Sequence, residues 1–233
     1  MLCSLEERLT RFAACGMELA VLADFSELRE LSAEEFLSEI LQKKCGAVGV
    51  ACGYNHRFGR CGAGDPALLE RVFGKGLLLV EEIRVNGVTV SSSEIRRLIG
   101  EKRMKEAAAL LGQPYSITAP VLHGKALGRQ WGFPTVNQNI PAEIVAPPRG
   151  VYRSRVTVDG TVYASLSNVG IRPTVDLEAE QNCETHLLDY SGDLYGRRLT
   201  VELLSYLREE KKFETPQALR EQIERDLQNA RND

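Results

Sequence analysis

No long basic run occurs in the sequence, and the formal net charge is −3. Wide electrostatic binding of nucleic acid is therefore not expected. No apolar stretch approaches the length of a membrane span. Met1-Leu2-Cys3-Ser4 runs straight into a helix pattern, so no signal peptide is read and a cytoplasmic chain is expected. The six cysteines (Cys3, Cys15, Cys45, Cys52, Cys61 and Cys183) form no C-x-x-C pair. In a cytosolic chain reduced thiols are the expected state. Cys52, His56 and Cys61 could be read as metal ligands, but their spacing fits no common zinc pattern and no fourth ligand stands out. Internal repeats and low-complexity segments are also missing. What is present is 233 residues, 43% of them apolar. That suffices to pack one large domain or two modest ones and argues against disorder.

The first half alternates helix and strand signals. Ser4 and Glu7 have capping-box spacing, and Leu5, Leu9, Phe12 and Ala13 then repeat at helical intervals up to Gly16. Ser32 and Glu35 repeat the box ahead of Phe36, Leu37, Ile40 and Leu41. Glu18 to Ala23, Ala47 to Cys52 and Leu77 to Val80 read as short buried strands. Asp65-Pro66 starts a helix, Asn86-Gly87 marks a tight turn, and Ser91 to Ser93 lead a further helix. Met104 to Leu111 forms another, closed by Gly112. This order predicts an open α/β layer.

Near Gln113-Pro114 the pattern changes, and a domain boundary is expected there. Segments rich in β-branched and aromatic residues follow: Tyr115 to His123, Val151 to Val158, Thr161 to Val169, Thr185 to Tyr190 and Leu199 to Tyr206. Asp159-Gly160 joins two of them as a hairpin. Such a series of short strands predicts a small antiparallel barrel. One helix closes the chain, with Thr215 as N-cap, Pro216 first, and Leu219, Ile223 and Leu227 as its apolar stripe.

The densest chemical signal is H-G-K-A-L-G-R-Q-W-G-F-P-T-V-N, residues 123–137. Gly124, Gly128 and Gly132 let the backbone approach a ligand and point N–H groups at phosphate oxygens. Lys125 and Arg129 add positive charge beside them. Thr135 and Asn137 fall on one face of an extended segment. A hydroxyl and an amide oxygen side by side are hard ligands, suited to Mg²⁺ carried by ATP. The loop is not a Walker A sequence, and alone it does not outweigh an ordinary turn. Phosphoryl transfer to an alcohol also needs a base, usually a carboxylate. Glu184, in N-C-E-T-H-L-L-D-Y, is the candidate. On a strand it shares a face with His186, opposite Thr185 and Leu187.

These motifs carry a resemblance. G-R-x-x-G-F-P-T-x-N, N-V-G-x-R-P-T (Asn168 to Thr174), E-T-H-L-L-D-Y, G-D-L-Y-G-R-R-L (Gly192 to Leu199) and L-R-E-E-K-K-F (Leu207 to Phe213) occur in that order. Together they closely resemble the riboflavin kinase module of the bacterial bifunctional riboflavin kinase/FMN adenylyltransferase family, also called FAD synthetase. The resemblance spans residues 113–233. It implies a six-stranded antiparallel barrel with a C-terminal helix and transfer of the ATP γ-phosphate to the 5′-hydroxyl of riboflavin, giving FMN. It implies that Thr135 and Asn137 hold Mg-ATP and that the Gly124 to Gly132 loop closes over the phosphates. Glu184 would deprotonate the hydroxyl, and the segment from Arg208 to Phe213 would form a flap on the flavin side.

Residues 1–112 resemble the adenylyltransferase module of the same family, a Rossmann-like nucleotidyltransferase. The matches are L-E-E-R-L, L-S-A-E-E-F-L, G-Y-N-H-R-F-G-R-C-G-A-G-D and V-S-S-S-E-I-R. They single out Asn55, Ser91, Ser92 and Arg96 as residual site residues, the last three placed for an anion at a helix N-terminus. The family's G-x-F-D-G-x-H-x-G-H loop, which binds and activates the ATP phosphates, does not occur in the sequence. FAD synthesis by this chain is therefore expected to be negligible, and the domain is expected to be incomplete. A doubly wound sheet usually has its first strand in the middle. Without one, Glu18–Ala23 would be parted from Ala47–Cys52 and apolar faces exposed. A wrong initiation codon on a full bifunctional enzyme is the favoured explanation, and a shortened form with a loosely folded first half the other. A non-catalytic flavin-binding module is disfavoured, since Glu184, Thr135 and Asn137 are all present. Expected partners are riboflavin, ATP and Mg²⁺, with no nucleic acid and no membrane.

Overall fold

The computed structural model describes residues 1–124, 133–172, 180–211, 213 and 215–231. Contacts divide the chain into two compact units, Met1–Cys15 with Val90–Asp233, and Gly16–Thr89. Helix α1 (Leu5–Ala14) opens the chain, with Ser4 and Glu7 forming the expected capping box.

The Gly16–Thr89 unit holds α2 (Phe25–Leu28), α3 (Ala33–Glu35, continuing as a wider-wound turn over Phe36–Lys44), β1 (Val50–Gly53), α4 (Pro66–Phe73), β2 (Leu77–Val80) and a hairpin of β3 (Arg84–Val85) and β4 (Val88–Thr89). Local chemistry explains most of these limits. Ser32 and Glu35 make the second capping box, and the Asp65 side chain accepts from the Leu68 amide ahead of Pro66. Asn86 and Gly87 take φ of 51° and 79°, as a tight hairpin turn requires. Ala33, Leu37, Phe58 and Leu69 form a small core, with Phe36, Val50 and Leu77 packed on it.

One expectation fails in this unit: Glu18 to Ala23 is not a strand. Strand structure needs a hydrogen-bonding neighbour. Among the described residues the parallel sheet contains only β1 and β2, neither paired with this segment. Its side chains stay in solvent, with Leu19 80% and Val21 70% exposed. Leu78, Leu79 and Val80 of β2 are exposed as well, as expected for a sheet lacking cover. The Ala47–Cys52 strand is displaced to Val50–Gly53.

In the other unit, α5 (Ser92–Gly100) and α6 (Met104–Leu111) precede the sheet, α6 ending on Gly112 in the left-handed conformation. Then come β5 (Tyr115–Pro120), β6 (Val136–Asn139), β7 (Gly150–Val158), β8 (Thr161–Arg172), β9 (Glu180–Leu187), β10 (Arg198–Arg208) and α7 (Pro216–Arg231). The six strands pair antiparallel in the order β5-β10-β7-β8-β9-β6. Leu122, just past β5, donates to the Asn137 carbonyl of β6 at 2.7 Å, so the sheet is a nearly closed barrel. Asp159 and Gly160, at φ of 50° and 80°, turn β7 into β8.

Alternation along each strand separates inside from outside. Tyr115, Ile117, Tyr152, Val156, Val169, Val201 and Leu203 fill the barrel. So does a ladder of buried hydroxyls: Ser154 bonds Ser165 and Ser167 at 2.7 Å, and Ser167 bonds Thr185 at 2.8 Å. Pairing buries each hydroxyl without loss. The outward positions of the same strands are free to carry chemistry.

Candidate active site

One row of cross-strand partners crosses the outer face of the barrel. Asn137 on β6 stands opposite Glu184 on β9, Glu184 opposite Asn168 on β8, Asn168 opposite Val151 on β7, and Val151 opposite Arg208 on β10. Directly opposed residues point the same way, with β-carbons about 5 Å apart. Arg208 reaches this row because β10 shifts register twice, between Leu203 and Ser205 and between Tyr206 and Arg208. Bulges of this kind re-aim a side chain.

Two cavities flank the row. The first, about 650 Å³, is lined by Thr135, Val136 and Asn137, with Tyr190, Asp193 and Tyr195 opposite. The second, about 310 Å³, is lined by Glu184, Asn168 and His186 of the barrel, by Arg208 and Phe213, and by Asp226 of α7. Thr135 lines both, so a group bound in one cavity borders a group bound in the other.

Neighbouring contacts fix these side chains. A β-carbon on Gly124 would overlap the Asn137 amide, so a larger residue there would push the Asn137 side chain aside. Pro134, beside Thr135, is tied through its carbonyl to His186 Nδ1 at 2.8 Å, and the His186 ring meets Phe133 edge-on. Asn182 Nδ2 donates to Glu184 Oε1 at 3.2 Å. Arg208 forks onto Asp226, Nη2 to Oδ2 at 2.6 Å and Nε to Oδ2 at 2.9 Å, with the Phe213 ring 5.9 Å from its guanidinium.

Thr135, Asn137, Glu184, Arg208 and Phe213 of the expected set thus line the two cavities, and Gly124 lies against Asn137. Lys125, Gly128, Arg129 and Gly132 lie outside the described residues. Sequence reasoning missed Asn168, Glu210 and Asp226. Asn168 and Glu210 belong to separate motifs, and only the fold brings them together, Asn168 Nδ2 donating to Glu210 Oε1 at 2.9 Å.

Of the residual adenylyltransferase residues, Ser91 caps α5, accepting from the Glu94 amide at 3.2 Å. Ser92 and Arg96 line a separate cavity of about 290 Å³ together with Arg8 and Arg11 of α1. Asn55 belongs to the Gly16–Thr89 unit, in the turn after β1. His56 there stacks on Phe58.

A barrel with two adjoining cavities, a hydroxyl–amide pair on the larger and a carboxylate on the smaller is the frame of a small-molecule phosphotransferase. Comparison with known proteins narrows it: the riboflavin kinase family (Flavokinase) matches residues 111–233, and the FAD synthetase family (FAD_syn) matches residues 1–94. The bifunctional riboflavin kinase/FMN adenylyltransferase of Pseudomonas fluorescens is 38% identical over 220 residues, covering 93% of this chain and 70% of that protein. The Escherichia coli K12 protein of the same name is 35% identical over 232 residues, 97% of this chain and 74% of its own. A crystal structure of a macrolide-efflux protein from Streptococcus pneumoniae covers 100% of this chain and 76% of that one, with TM-score 0.87 and 29% identity. The chain belongs to the bifunctional riboflavin kinase/FMN adenylyltransferase family, and residues 111–233 are its riboflavin kinase module.

Proposed function

We propose that the chain makes FMN from riboflavin and ATP at the outer row of the barrel, and makes little or no FAD. The observation that carries this reading is the position of Thr135 in both cavities, beside an Asn137 that pairs directly with Glu184. The larger cavity takes ATP and the smaller one the flavin, with its sugar-alcohol end at Glu184. Glu184 accepts the proton of the 5′-hydroxyl. That oxygen bonds to the γ-phosphorus as the bridge to the β-phosphate breaks, and ADP leaves. The Thr135 hydroxyl and the Asn137 amide oxygen suit a hard cation. These two side chains would hold the Mg²⁺ that accompanies ATP, which neutralises charge on the phosphates. Arg208, clamped by Asp226, and Phe213 wall the flavin side.

Residues 113–233 act as the kinase domain in this reading, and residues 1–112 as a partial adenylyltransferase domain. Ser92 and Arg96, with Arg8 and Arg11, form a basic cavity suited to an anion, but no G-x-F-D-G-x-H-x-G-H loop occurs in the sequence to activate the phosphates of a second ATP. Losing a preorganised set of donors costs a transferase orders of magnitude in rate. Among the described residues no helix is long and apolar enough to cross a membrane.

The test is incubation of the purified chain with riboflavin, ATP and Mg²⁺, with FMN and FAD separated by chromatography. FMN accumulating without FAD is the expected outcome. FAD formed from FMN at a rate comparable to the kinase would overturn the second half of the proposal, and absence of FMN the first.

A further inference from the structure

Asn168 stands opposite Glu184 in the outer row and lines the smaller cavity. Its Nδ2 donates to Glu210 Oε1 at 2.9 Å. Its Oδ1 is buried and receives no hydrogen bond among the described residues. The amide cannot turn over to cure this, because a carboxylate only accepts and the nitrogen must therefore face Glu210. Gly170, two residues further on the same face of β8, leaves room for that carboxylate: a β-carbon there would lie 2.7 Å from Glu210 Oε1. A buried acceptor without a donor is rare in folded proteins, and on a residue that lines a cavity it is open to a donor from a bound molecule.

The geometry points to Asn168 as a specificity residue for the flavin, its Oδ1 accepting a hydrogen bond from the 4′-hydroxyl while Glu184 takes the proton of the neighbouring 5′-hydroxyl. This inference rests on the kinase reading above. Cross-strand partners place their β-carbons about 5 Å apart, so two adjacent hydroxyls of one chain reach both. A donor is required at this oxygen, so a flavin whose side chain lacks that hydroxyl leaves it orphaned in the complex.

The experiment compares riboflavin with 4′-deoxyriboflavin as substrates of the full chain, wild type and Asn168→Ala, with ATP and Mg²⁺. A site built to bond a hydroxyl rejects the analogue without it, because its own polar group is left unpaired. Wild type is expected to turn over the analogue with kcat/KM about tenfold to a hundredfold lower. Asn168→Ala is expected to lose a similar factor on riboflavin and to treat the two substrates alike. Equal kcat/KM of wild type for both flavins would overturn the inference, and needs no variant. Full discrimination surviving in Asn168→Ala would overturn it too. Wild type that forms no FMN from riboflavin would defeat the kinase reading itself, and this inference with it.

Discussion

Replacing Asp226 by alanine removes the clamp that holds Arg208 against the C-terminal helix. The Asp226 side chain is 5% exposed and that of Arg208 17%. The carboxylate takes bonds from Arg208 Nη2 at 2.6 Å and from Gln222 Nε2 at 2.9 Å. Breaking a buried pair from one side costs roughly 3–5 kcal/mol, because the other charge stays behind unpaired. Arg208 keeps a bond from Nη1 to the Glu209 carbonyl at 3.0 Å, which places the loss at the low end, about 3 kcal/mol. For a unit of this size that lowers the thermal midpoint by about 6–12 °C. Thermal unfolding followed by circular dichroism reads it directly. Because Asp226 lines only the smaller cavity, KM for riboflavin should rise while KM for ATP holds. Asp226→Asn, which keeps an acceptor, should lose less. A midpoint within about 2 °C of wild type would refute the reasoning, as would a change in the ATP constant alone.

Two further outcomes follow from the same geometry. Gly124→Ala pushes a methyl group to within 2.4 Å of Asn137 Nδ2; since a displacement near 1 Å can cost about a hundredfold, FMN formation should fall by about tenfold or more with the thermal midpoint little changed, as parallel kinetics and melting would show. Burial pushes the Cys183 thiol up to about 11 from 9.0. The folded state therefore holds this proton more tightly than the unfolded one, so the stabilisation is complete below pH 9.0 and is lost as pH rises towards about 11. Burial raises the Tyr115 and Tyr152 phenols as well, in the same sense at higher pH. Melting curves across the alkaline range should show the decline, with a shallower slope in Cys183→Ala, and a thiol reagent should modify Cys183 only after denaturation.

Legibility from sequence tracked the range of each interaction. The capping boxes at Ser4 and Ser32 and the turns at Asn86-Gly87 and Asp159-Gly160 are local chemistry, and they appear where the residues put them. Thr135, Asn137 and Glu184 stand out in the sequence because each sits in a dense motif, and the fold sets them on the two cavities. Glu18 to Ala23 has the residues of a strand, but a strand also needs a neighbour, and no described strand pairs with it. Asn168 and Asp226 escaped notice for a related reason. Asn168 gains meaning from the register of β8 against β9, and Asp226 from a helix turn that meets Arg208 eighteen residues away in sequence. The double register shift in β10, which brings Arg208 into the row, leaves no mark in the pattern of apolar residues.

In the proposed reaction Glu184, on the smaller cavity and paired across the strands with Asn137, takes the proton of the 5′-hydroxyl. Glu184→Gln keeps the size and a hydrogen-bond acceptor for Asn182 but cannot serve as base. Its rate of FMN formation should fall by about a hundredfold or more, while riboflavin binding, followed by flavin fluorescence, stays within a few-fold of wild type. A variant that makes FMN at the wild-type rate would contradict the account.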